Sequence, residues 1–133
     1  MKFKFLFIAF LFCFISFSQT NKKITTIETV EILNGNKAEA LYYFQNNWKP
    51  LRAQAEEKGY IQSYSILETS FSEATPFHFI LVTTYANKAQ YDNRENRFSE
   101  LIKASGGLKL LNEKTPSEFR KSVFSVEKAV HLE

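Results

Sequence analysis

The side chains able to do chemistry in this chain are few, and most are aromatic. Only two histidines occur, His78 inside the apolar run Phe77 to Tyr85 and His131 near the C-terminal end. An imidazole at position 78 could serve as a general base toward a bound phenol or enol, or as an axial metal ligand. It could equally be a strand-start histidine satisfied by one hydrogen bond. His78 is therefore the one candidate catalytic residue, with both readings open. No metal site is expected, because the single cysteine is Cys13 and no His, Asp and Glu are grouped at ligand spacing. Neither a Gly-x-Ser-x-Gly nucleophile elbow nor a phosphate-cradling glycine loop is present, so no cofactor is expected either.

What remains is a set of rings with a few polar neighbours: Tyr43, Trp48, Arg52, Tyr64 and Tyr85. An apolar pocket edged by a few polar tips suits a flat or aromatic small molecule, and these five are the candidate ligand-binding residues. Plain core packing is the competing reading for each. Helical spacing puts Trp48 on one stripe with Phe44 and Leu51, facing a sheet, while Tyr43 and Asn47 share the adjoining face. Arg94 has two readings, a local pair with Glu95 or Glu100, or a cation offered to a ligand.

Composition narrows the classes of partner once the chain is divided near residue 18. Of its 133 residues, the first 18 hold Lys2, Lys4, no acid, seven of the 14 phenylalanines and the only cysteine and methionine. A basic start, the apolar stretch Phe5 to Phe17, and Ser16 and Ser18 at the −3 and −1 positions before Gln19 form the pattern of a secretory signal peptide. The stretch is shorter than the ~17 residues a membrane helix needs. The expectation is an exported protein, periplasmic or extracellular, with a single domain over residues 19–133 and no disulfide. That remainder carries 15 basic and 14 acidic side chains. Such a balance argues against nucleic acid as a partner, and no membrane span is expected once the leader is removed.

The elements that must position the candidates follow from periodicity. Lys23 to Leu33 is rich in β-branched residues and reads as a strand, closed by a turn at Asn34-Gly35. Asn36 with Glu39 has capping-box spacing, and Leu41, Phe44, Trp48, Leu51 and Ala55 give a helix ending at Gly59. Pro50 predicts a kink or break near Trp48-Lys49. Tyr60 to Phe71 and Phe77 to Tyr85 read as a hairpin, and the second strand is apolar on both faces, hence central in its sheet. A second helix follows from Asn87 with Gln90 to Gly106. Thr115-Pro116-Ser117-Glu118 opens a short third helix, and Ser122 to Val130 closes the chain as a strand.

The order β-α-β-β-α-(short α)-β predicts an α+β, ferredoxin-like βαββαβ sandwich with an antiparallel four-stranded sheet. Two long helices cover one face of that sheet only. The two-sided strand then implies a second copy on the open face, so a homodimer is expected.

In its element order over residues 23–131, and in Trp48-Lys49-Pro50-Leu51, Phe79 to Lys88 and Tyr91 to Phe98, the chain resembles the dimeric α+β barrel superfamily. That group includes the antibiotic-biosynthesis monooxygenase-like, EthD-like and NIPSNAP-like families. The resemblance implies a shared barrel built by two sheets and ligands held between a sheet and its own helices. It also implies that a haem-binding member would carry its iron-ligating histidine on the second helix, and residues 87–105 contain none. Three functions stay open: a binder of a small apolar or aromatic ligand, a cofactor-independent monooxygenase-type enzyme, and an interaction module without catalytic activity.

Overall fold

A computed structural model describes residues 21–132, so the candidate signal peptide lies outside the described residues. Four strands, β1 (Ile24–Ile32), β2 (Ser63–Glu68), β3 (Phe79–Tyr85) and β4 (Arg120–Val130), form one antiparallel sheet in the order β2-β3-β1-β4. This is the ferredoxin-like α+β architecture, with β3 and β1 in the middle. Antiparallel pairing puts partners on the same face. Ile24 lies opposite Tyr85, Thr26 opposite Thr83, Glu28 opposite Leu81 and Val30 opposite Phe79, and all of these face the helices. Ile27, paired with Val82, and Thr29, paired with Ile80, point the other way.

The first helical stretch is not a kinked α-helix. It divides into α1 (Lys37–Tyr43), a π-helical turn (Phe44–Trp48) and α2 (Lys49–Glu57). The cause lies in Pro50, which has no N–H to donate and whose ring would press on the carbonyl of Asn46 in a regular helix. Widening the preceding turn relieves that contact and frees carbonyls one turn earlier. Asn46 and Asn47 take them up, their side-chain amides donating to the carbonyls of Tyr42 (2.9 Å) and Tyr43 (3.0 Å). Asn47 also exchanges two 2.7 Å hydrogen bonds with the backbone of Lys109, tying this turn to the segment after the last long helix.

Two of the three helix starts expected from capping boxes are capped as such. The Asn87 side chain accepts from the Gln90 backbone N–H at 2.9 Å, opening α3 (Lys88–Asp92). Thr115 donates its backbone N–H to the Glu118 carboxylate at 2.6 Å, opening α5 (Pro116–Phe119). Asn36 and Glu39 are used differently. Asn36 donates to the carbonyl of Glu118 and accepts from Lys114, while Glu39 accepts from Asn112 and Lys114. The pair fastens the 112–118 segment to the start of α1 instead of capping it.

The second long helix is also interrupted. It splits into α3 and α4 (Arg94–Ala104) at Asn93, whose backbone sits at φ −87° and ψ 0° and whose amide donates to the carbonyl of Ala89.

The core consists of two separate clusters along the helix-facing side. One gathers Val30, Ile32, Phe44, Phe79, Leu81 and Phe119, with Trp48 at its margin. The other gathers Ile24, Ala55, Ile61, Tyr85, Tyr91 and Leu101, with Phe98 at its margin.

Hydrogen bonds at Thr115 hold the Glu118 carboxyl below the ordinary value of 4.5. A depressed folded value means this carboxylate supports the fold above about pH 4.5 and loses that support as pH falls through the depressed value. Glu118→Gln is expected to leave the melting temperature at pH 7 lower than in the parent protein, and to close that gap as pH falls toward 3. Thermal melts followed by circular dichroism across that range check it.

Candidate functional site

Between the two clusters the helix-facing side of the sheet turns polar. The rungs Thr26–Thr83 and Glu28–Leu81, with Ser125 of β4 opposite Glu28, form a floor with three polar positions on the two central strands. Valine or leucine there would each contribute ~1.5–3 kcal/mol of burial. Forgoing it is a large concession against a net stability of ~5–15 kcal/mol. Above this floor lies a cavity of about 470 Å³, walled by Trp48 and Arg52 from the first helical stretch and by Arg94, Phe98 and Ile102 from α4. Its size falls in the range of small-molecule sites, ~300–1,000 Å³.

Arg52 occupies the centre. Its guanidinium lies 4.1 Å from the centroid of Phe98 and 4.7 Å from that of Trp48, while its Nε donates to the Thr83 hydroxyl at 3.3 Å. Burial pushes this group below its ordinary range, opposed by the charge fields of Tyr85, Glu28 and Tyr43. A guanidinium nonetheless stays cationic at neutral pH. Three of the other charged groups around the cavity, Arg94, Glu95 and Glu28, have partners in the protein. Arg94 stacks on Tyr91 at 3.9 Å, donates to the Tyr91 carbonyl and lies 3.7 Å from Glu95. Glu28 lies 4.0 Å from Arg120, which in turn donates to the Tyr43 hydroxyl.

Three of the five candidate ligand residues, Trp48, Arg52 and Tyr85, border this cavity together. Tyr43 does not; it lines a second cavity of about 330 Å³ beside the π-helical turn, which shares Trp48, Arg52 and Ile102 with the first. Tyr64 lines neither and packs edge-on against Trp48 at 5.8 Å. His78 lies away from both. Its Nδ1 accepts from the backbone N–H of Ile32 at 2.9 Å, and its ring stacks on Phe71 at 4.9 Å. The imidazole stands where a strand carbonyl would continue the β1–β3 ladder.

Thr26, Glu28, Thr83 and Phe98 belong to the site and were not among the sequence candidates. The signal for the first three was there to read: polar residues at alternate strand positions whose neighbours at 24, 30, 81 and 85 are apolar. Among the described residues, no group of three His, Cys, Asp or Glu side chains is arranged to hold a metal ion, and no helix is long and apolar enough to cross a membrane.

Fold and site together define a small α+β protein with a pocket between its sheet and its helices. No protein-family profile matches the chain, and no curated protein matches it. Among solved structures, the crystal structure of HapK from Hahella chejuensis is similar at 16% sequence identity, covering 77% of this chain and 88% of that one with a TM-score of 0.47.

Tyr85 is the phenol closest to acid–base use in this pocket, and its surroundings oppose ionisation. Burial raises its hydroxyl above 10, outweighing the nearby positive charges of Arg52 and Arg94. A raised folded value means the neutral phenol supports the fold fully below pH 10 and loses that support as pH rises through the raised value. An absorbance titration at alkaline pH should contain a tyrosine phase above pH 10, and Tyr85→Phe should remove that phase and flatten the alkaline fall in melting temperature.

Proposed function

We propose that this protein binds a small, flat, largely apolar molecule in the cavity between its sheet and the helices α2 and α4. One observation carries the reading: the core is divided, and the gap between its two clusters has a polar floor and aromatic walls. A gap in a structural core is usually dry and apolar, since unpaired polar groups there cost ~1–3 kcal/mol each. A pocket that must admit and orient a ligand needs the mixture found here.

The sole tryptophan of the chain, Trp48, lies in the wall, so its emission reports directly on occupancy. A panel of two- and three-ring aromatic compounds should contain members that quench or shift Trp48 fluorescence saturably. Ser125→Phe, which adds a ring to the floor from an exposed position, should weaken that binding about tenfold or more without lowering the melting temperature. Saturable binding unchanged by Ser125→Phe would place the ligand elsewhere, and no binding across the panel would remove the reading.

The reading includes a homodimer built on the open face of the sheet. Ile27, Ile80 and Val82 form the middle of that face, with Leu67, Phe124 and Val126 exposed around them. Contiguous exposed apolar surface of this kind marks an association site. Light scattering should give twice the mass of one chain, and Phe124→Lys should shift it toward one. A stable monomer in the parent protein would sink the pairing while leaving the pocket untouched.

A further inference from the structure

We infer that the ligand of this cavity is an organic anion, an aromatic or otherwise planar carboxylate, and that Arg52 is the residue that selects its charge. The inference rests on the cavity being a ligand site and adds the chemical class of the occupant.

Among the described residues, Thr83 is the only group that accepts a hydrogen bond from Arg52, and it takes Nε. None of the ion pairs includes Arg52. The two terminal nitrogens therefore have no partner among the described residues. They are also not sealed in, since the buried nitrogens without a partner are Arg97 Nη1 and Arg120 Nε. Arg52 borders both cavities, the space a ligand would enter to reach these nitrogens. A guanidinium with Nε satisfied and both terminal nitrogens free presents donors that match the two oxygens of a carboxylate.

The rings of Trp48 and Phe98 both lie against the guanidinium, their centroids 4.7 and 4.1 Å away, and restrict its orientation. Cation–π contact compensates a desolvated cation only in part. An incoming carboxylate would supply the rest.

Carboxylates also border the cavity, so the sign of the field has to be weighed. Glu28 is engaged by Arg120 at 4.0 Å, and Glu95 is mostly exposed and lies beside Arg94 at 3.7 Å. Glu127 also belongs to the lining and lies in an exposed stretch of β4. Arg52 has no ion pair among the described residues, Glu28 acts on it only through its field, and burial desolvates it, so an ion pair with a ligand would be weakly screened there.

The experiment compares aromatic acids with their own primary amides, which keep the shape and lose the charge: benzoate, 2-naphthoate and indole-3-acetate against the corresponding amides, by calorimetry on the purified protein. At least one acid should bind about tenfold or more tightly than its amide. Arg52→Gln should abolish that preference while amide binding remains, with circular dichroism confirming an unchanged fold. The comparison on the unaltered protein stands even if the variant misfolds. Acids and amides binding alike would overturn the anion while leaving the pocket in place. A preference for acids that survives Arg52→Gln would overturn the assignment to Arg52. Failure of every acid and every amide to bind would take down both readings.

Discussion

The guanidinium of Arg52 stands where the two halves of the core would otherwise meet. Trp48 belongs to the margin of one cluster and Phe98 to the margin of the other, and Arg52 lies between their rings with Thr83 beneath it. Removing a charge from water costs several kcal/mol unless it is paired and hydrogen-bonded. The two rings and one hydroxyl offset part of that cost. An interior so arranged is a compromise, and the surrounding packing has to hold it open against collapse.

The helices over the cavity are pinned at both ends by side-chain amides. At one end Asn47, on the π-helical turn, is bonded twice to the backbone of Lys109, just beyond α4. At the other end Gln90 accepts from the backbone N–H of Ala86 and donates to the carbonyl of Gly59, joining the start of α3 to the turn that ends α2. Each such bond contributes ~1 kcal/mol net. Together they set the spacing between the layers independently of what lies between them. The π-helical turn also sets the phase of α2: Trp48, the last residue of the turn, and Arg52 in α2 are four residues apart and so lie on one face.

Element order, the central place of β3 and the helix starts at Asn87 and Thr115 were legible because each rests on local chemistry: alternation, β-branching and side-chain caps within three residues. The pattern at Asn36 and Glu39 is locally the same, yet those side chains are taken by Lys114, Asn112 and the Glu118 carbonyl, partners some 73 to 82 positions away. No local rule anticipates such competition. The break at Asn93 is hidden for a similar reason, since Asn inside an amphipathic pattern reads as a wet-face residue until its amide is seen on the Ala89 carbonyl. Trp48, Arg52 and Tyr85 could be gathered as candidates by type alone. That Trp48 and Arg52 line the cavity while Tyr43 does not follows from the extra residue per turn at 44–48, which sequence spacing treats as regular helix, and Tyr64 on β2 packs against Trp48 instead of lining the cavity.

The division between the faces of the sheet explains why a polar site and an apolar exterior occur together. A sheet covered on one side ordinarily keeps apolar residues inward and polar ones outward. Here the centre of the sheet is reversed. Thr26 opposite Thr83 and Glu28 opposite Leu81 face the helices, whereas Ile27 opposite Val82 faces away. The ends of the same strands keep the ordinary sense, with Ile24, Tyr85, Val30 and Phe79 inward, so the register is fixed by the ends and the reversal in the middle is tolerated. A one-residue slip would mend the centre only by exposing both clusters. The strands therefore present a partly polar middle toward the helices and an apolar one away from them, and both features follow from the same few middle residues.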